Sequence, residues 1–147
     1  MEIRKATLKD LPALCTCCVE AFRDYIPLIG RIPGPMLEDY GEAMEKDFLF
    51  VAEDQGKLLG YLLIKDGEGD FMWMDVLAAY PGGTGVGRVL MAHCEDFIRS
   101  RGKSECRLYT HVKYDRTRGI YLRQGYEIYD RVREYGFDRY YMKKRLV

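Results

Sequence analysis

Apolar and polar positions alternate through residues 48–53, 57–65 and 70–79, with polar or glycine-bearing turns at 54–56 and 66–69. Three such runs in close succession predict an antiparallel meander. Residues 2–7 read as an earlier strand. Asp10, Leu11 and Pro12 open a helix expected to turn Leu14, Val19 and Phe22 toward the core and to stop before Pro27. Two glycines and two prolines make residues 29–35 a loop, and residues 36–46 form a short helix over the substrate side. After the third strand, Val86, Val89, Leu90, Cys94, Phe97 and Ile98 recur at helical spacing until Arg101 and Gly102 supply a stop. Residues 105–112 then read as a strand, 116–124 as a helix, and the remainder as two strands around Glu134, Tyr135 and Gly136. The expected fold is α/β, a mixed and mostly antiparallel sheet flanked by helices, in one domain over residues 1–147.

Composition narrows the function classes. A chain of 147 residues with 48% hydrophobic and 31% charged residues buries a substantial core without a second domain. Lysine plus arginine equal aspartate plus glutamate at 23 each, so no global field draws in nucleic acid or an anionic membrane. No apolar run is long enough to span a bilayer, and Glu2, Arg4 and Lys5 break the pattern of a signal peptide, which makes the cytoplasm the expected compartment. Cys15, Cys17, Cys18, Cys94 and Cys106 show neither a Cys-x-x-Cys pair nor a histidine cluster, so reduced thiols and no metal centre are expected.

The segment Tyr80-Pro81-Gly82-Gly83-Thr84-Gly85-Val86-Gly87-Arg88 joins the third meander strand to the following helix. Glycines at a helix start let the backbone turn tightly and approach a ligand, while first-turn N–H groups and the helix dipole favour an anion. A nucleotide P-loop requires Lys and Ser or Thr after its last glycine, and this chain has Arg88 and Val89. A dinucleotide fingerprint places a third glycine where Leu90 stands. Both motifs fail, and a pyrophosphate cradle of another kind remains.

The segment resembles the signature of the GNAT superfamily of acyl-CoA-dependent N-acyltransferases, Gln/Arg-x-x-Gly-x-Gly/Ala, at Gly82 to Gly87. Gly82 stands where that pattern has Gln or Arg, so cofactor binding rests on the backbone. A second block, Ile120-Tyr121-Leu122-Arg123-Gln124-Gly125-Tyr126, is similar to the family's aliphatic-Tyr-x-x-x-Gly-Phe/Tyr. Shorter similarities to a bacterial-type subgroup occur at Pro35-Met36-Leu37-Glu38-Asp39-Tyr40, Leu108-Tyr109-Thr110 and Gly136-Phe137-Asp138-Arg139, so the resemblance spans nearly the whole chain. It implies a cofactor cleft where neighbouring strands splay. It names no acceptor, because one fold hosts many substrates.

The resemblance implies a set of roles. Acetyl-CoA is the co-substrate, and the acceptor is a primary amine on a small molecule or peptide, with a homodimer left open. Strand amides at Leu77 and Ala79 bind the pantetheine arm. Gly82, Gly83, Thr84, Gly85, Val86, Gly87 and Arg88 hold the pyrophosphate. Tyr121 stands beside the sulfur, and the family's supporting Asn is absent, with Tyr114 and Thr117 in its neighbourhood. A base must take the ammonium proton. Asp75 shares strand parity with Leu77 and Trp73 and is the first choice, with His111, whose ordinary pKa lies near neutrality, the alternative. Asp39, Glu42 and Tyr40 stand where a cationic acceptor could be bound from the lid. Two further readings stay open: a catalytically weak acyl-CoA-binding sensor, and an interaction module built on the many tyrosines.

Overall fold

In the computed structural model, which describes all 147 residues, the meander forms as expected from β2 (Phe48–Asp54), β3 (Lys57–Asp66) and β4 (Phe71–Ala79). The first strand, β1 (Glu2–Lys5), pairs antiparallel with β2. β5 (Glu105–His111) runs parallel to β4, and the hairpin of β6 (Glu127–Glu134) and β7 (Phe137–Arg145) completes seven strands in the order β1-β2-β3-β4-β5-β7-β6. The hairpin turn holds Tyr135 at φ 52° and Gly136 at φ 79°, the twist that tight hairpins favour. β7 folds back into the sheet beside β5, leaving β6 at the edge.

Helices cover both faces. α1 (Leu11–Phe22), α2 (Tyr25–Ile29) and α3 (Tyr40–Lys46) precede the meander, and α4 (Val86–Ser100) and α5 (Asp115–Arg123) follow it. Leu14, Cys17 and Cys18 of α1 and Ala43 of α3 pack on Leu49, Val51, Tyr61, Leu63 and Val76. On the opposite face Leu90, Cys94 and Ile98 of α4 meet Leu62, Ile64, Met74, Cys106, Leu108 and Met142. Each large side chain removed from water this way contributes about 1.5–3 kcal/mol. No helix is long and apolar enough to cross a membrane.

Several local expectations are corrected. Val19 and Val89 face solvent, at the borders of their helices' apolar stripes. α1 ends at Phe22, before Pro27 as expected, but Pro27 lies in the first turn of a further helix, α2, where a missing N–H leaves no helical bond unmade. Residues 36–46 split into a 3-10 turn (Gly34–Leu37) and α3, because Asp39 caps the helix and accepts the amide of Glu42 at 3.1 Å.

Candidate active site

The sheet opens where β4 leaves β5. The two strands pair only from Phe71 to Trp73 on β4 against Glu105 to Arg107 on β5. Beyond Trp73 the β5-facing edge of β4, which includes the backbone of Leu77 and Ala79, is left without a partner strand. The gap widens into a cleft of about 1200 Å³ reached by α1, α2, α4 and α5. Among its charged residues, Arg88 comes from α4, Arg116 and Arg123 from α5, Lys65 from β3 and Arg139 from β7, while Glu20 comes from α1, Asp24 from the turn before α2, Glu38 from the corner before α3, and Asp75 from β4.

The glycine loop borders this cleft through Gly82, Gly83, Thr84, Gly85, Gly87 and Arg88. Gly83 at φ 77° and Gly85 at φ 87° hold left-handed backbone, which other residues adopt only under strain. A Cβ at Gly82, Gly83, Gly85 or Gly87 would meet no protein atom within 4 Å, so these backbones face open cleft. The amides of residues 82–88 donate no hydrogen bond within the protein, and the first helical bond runs from the amide of Val89 to the carbonyl of Gly85. Unengaged N–H groups at the positive end of a four-turn helix form an anion site. Val86 contributes backbone only, since its side chain is buried in the core.

Asp75 occupies a β-bulge. Leu63 pairs with Val76 and Ile64 with Met74, which leaves Asp75 unpaired between them. The bulge breaks the strand parity expected from the sequence: Leu77 packs with the α4 cluster, while Trp73 lies edge-on to Tyr109 and Tyr141 on the other face. Asp75 nonetheless lines the cleft, as do Leu77 and Ala79. Its Oδ1 accepts the Tyr109 hydroxyl at 2.9 Å, and its Oδ2 lies 3.6 Å from Lys65 Nζ, which is ion-paired with Glu38 at 2.6 Å. Burial pushes the Asp75 carboxyl above the ordinary aspartate value, against the pull of Lys65 and Tyr109.

Tyr121 also reaches the cleft, from α5. Burial, with no hydrogen bond to offset it, raises its phenol well above the usual value. Its ring meets Tyr126 edge-on at 5.9 Å, while the hydroxyl keeps its donor for a ligand. Tyr114 and Thr117 line the same wall. Tyr25 from α2 stacks on Tyr114 at 4.1 Å and shares a 3.2 Å hydrogen bond with Thr117, so α2 braces the start of α5.

His111 lies in the cleft wall with its Nδ1 accepting the Lys113 amide at 3.1 Å. The tautomer assigned from this bond carries its proton on Nε2, so the neutral ring offers no free lone pair. Burial also pushes its pKa below the ordinary imidazole value. Of the two candidate bases, only Asp75 keeps an acceptor oxygen, Oδ2, outside a short hydrogen bond, with Lys65 Nζ 3.6 Å away.

The three lid residues are corrected, Glu42 being ion-paired with Lys46 and away from the cleft. Tyr40 is buried, and its hydroxyl donates to the Pro35 carbonyl at 2.7 Å and accepts from Tyr61 at 2.7 Å. Asp39 is spent on the α3 cap, and neither side chain lines the cleft. Glu38, one residue earlier, does. No role falls to Glu38, Lys65 or Tyr109 from the sequence, because only the tertiary fold brings them to Asp75.

The acetyltransferase (GNAT) family model matches residues 16–126, which include the glycine loop, Asp75, His111 and Tyr121. No curated protein matches. Among solved structures, the chain is similar to the PaiA N-acetyltransferase of Thermoplasma acidophilum in complex with coenzyme A, at 20% identity, 98% of each chain covered and a TM-score of 0.81. It is also similar to the ribosomal-protein-S18-alanine N-acetyltransferase of Escherichia coli, at 18% identity over 99% of this chain and 93% of that one, with a TM-score of 0.79. Naa20 of Chaetomium thermophilum, in complex with a bisubstrate analogue, gives 20% identity, coverages of 99% and 87%, and a TM-score of 0.74. At these identities the structural likenesses speak for the fold. The family match covers well over half the sequence and falls on the splayed cleft and its glycine loop: this chain belongs to the GNAT family of acetyltransferases.

Proposed function

We propose that the protein transfers an acetyl group from acetyl-CoA to a primary amine of a small molecule or peptide, by direct attack within a ternary complex. The observation that carries the cofactor half is the row of unengaged amides over residues 82–88 at the start of α4, facing open cleft. Acetyl-CoA would supply the acyl group already activated as a thioester. The loop amides and Arg88 hold the pyrophosphate, and the unpaired edge of β4 at Leu77 and Ala79 offers backbone groups to the pantetheine arm. The similar PaiA N-acetyltransferase, whose structure is a complex with coenzyme A, supports that fit.

The acceptor half rests on Asp75 and Tyr121. Asp75 binds the incoming ammonium through its open Oδ2 and takes up the proton that the nitrogen must lose before it can attack. The amine nitrogen then bonds to the acyl carbon as the carbon–sulfur bond breaks; Tyr121 hydrogen-bonds the departing sulfur, which ends as the thiol with the second proton that the nitrogen sheds. The carboxylates of Glu20, Asp24, Glu38 and Asp75 outnumber the cations Lys65 and Arg139 beside them, which favours a cationic acceptor at this end of the cleft.

Calorimetric titration with acetyl-CoA, followed by thiol release across a panel of amines, tests both halves. Binding with turnover on some amine is expected; binding without turnover on any would favour the acyl-CoA sensor, and neither would sink the reading. The loop has its own test. Gly85→Val with Gly87→Val should weaken acetyl-CoA binding by about an order of magnitude or more, because side chains would enter the space the pyrophosphate needs. Unchanged affinity in a folded variant would remove the cradle.

A further inference from the structure

We infer that Lys65 and Glu38 are positioning residues for Asp75: Glu38 draws the Lys65 ammonium off the Asp75 carboxylate, leaving that carboxylate charged but open to an acceptor. The inference rests on the reading of Asp75 as the base. Tyr109 occupies Oδ1 at 2.9 Å, so any incoming ammonium must use Oδ2. Lys65 Nζ stands 3.6 Å from Oδ2, a long ion pair, while the same nitrogen lies 2.6 Å from Glu38. Lys65 therefore supports the negative charge of Asp75 without sealing its free oxygen.

Either extreme would disable the group. A lysine bonded directly to Asp75 would fill the acceptor's place with the protein's own ammonium. Without the lysine, burial would hold Asp75 as a neutral acid over a wider range of pH. Glu38 sets the balance from the corner between the 3-10 turn and α3. That corner is anchored in the core, because the Pro35 carbonyl accepts from the Tyr40 hydroxyl at 2.7 Å and from the Cys18 thiol at 3.4 Å. A buried polar chain thus fixes Glu38, Glu38 fixes Lys65, and Lys65 tunes Asp75.

The charged and titratable groups around Asp75 are few. Lys65 comes from β3, Tyr109 from β5, and Glu38 from the corner. Asp47, just before β2, interacts with Lys65 and Glu38, and Arg139 of β7 lies over the Tyr109 ring at 4.4 Å. Glu20 and Asp24 line the same cleft from the α1 side. Removing Lys65 takes away the cation nearest the carboxylate, and removing Glu38 takes away the anion that restrains that cation. The two changes therefore move Asp75 in opposite directions, which loss of packing would not do.

The test is a carboxyl NMR titration of the acetyl-CoA-free protein labelled with 13C at aspartate carboxyls, the Asp75 signal being identified by its loss in Asp75→Asn. Lys65→Met should raise the Asp75 midpoint by about one pH unit, while Lys65→Arg should leave it near wild type. Glu38→Gln should lower it, and that shift should shrink by more than half when Lys65→Met is also present. An Asp75 midpoint unmoved by Lys65→Met, raised by Glu38→Gln, or shifted equally by Glu38→Gln with and without Lys65 overturns the inference. Glu38 is partly exposed, so its variant supplies a result even if Lys65→Met folds poorly. No acceptor or turnover is needed, so failure here is separate from failure of Asp75 as the base.

Discussion

Asp75→Asn is expected to lower kcat/KM for the amine by about 10²–10⁴-fold, the usual worth of a positioned general base, with acetyl-CoA affinity little changed. The amide can still accept the Tyr109 hydroxyl, so the bulge keeps its shape while the proton acceptor is lost. The pH profile carries the sharper signal. Asp75 works only when ionised, and burial raises its pKa above the ordinary aspartate value. Wild-type kcat/KM should therefore rise with pH through that raised pKa, and the ascending limb should vanish in Asp75→Asn. A limb that persists there and disappears in His111→Gln would move the role to His111, which would first have to release the Lys113 amide.

The parts of this arrangement legible in the sequence are those set by local pattern. Alternation from Phe48 to Ala79 gave the meander, and the glycines before α4 gave the cradle, because backbone freedom and helix polarity depend on near neighbours. The bulge at Asp75 was hidden, since alternating burial runs through β4 without a break even though the strand changes face at that residue. Asp75 was thus placed in the cleft on a parity that the structure does not keep. Its partners were hidden for a related reason: Lys65, Tyr109 and Glu38 lie on separate elements, two strands and a corner before α3, and only the tertiary fold makes them neighbours. Asp39 was legible and misread. An aspartate three residues before Glu42 at a helix start is a capping arrangement, and the cap takes the carboxylate that the lid reading would have given to a substrate.

Tyr121→Phe should lower kcat by about 10²-fold while leaving acetyl-CoA affinity close to wild type. The hydroxyl makes no bond in the protein and acts only as charge gathers on the departing sulfur, so its loss should be felt in turnover. An ordinary phenol of pKa about 10 facing a thiolate of about 8.5 would already donate uphill by roughly 1.5 units. Burial raises the phenol further, which argues for a strong hydrogen bond or a concerted transfer over a free proton hop. The ring, packed edge-on to Tyr126, is preserved in the variant, so the measured loss reads the hydroxyl alone. Where a single-turnover experiment shows that chemistry limits the rate, a near-native kcat would leave Tyr121 as a packing residue and require another donor for the leaving thiolate. Where no other donor serves, the sulfur departs unaided, and an acetyl thioester of a thiol more acidic than that of CoA should react faster with wild type and variant alike.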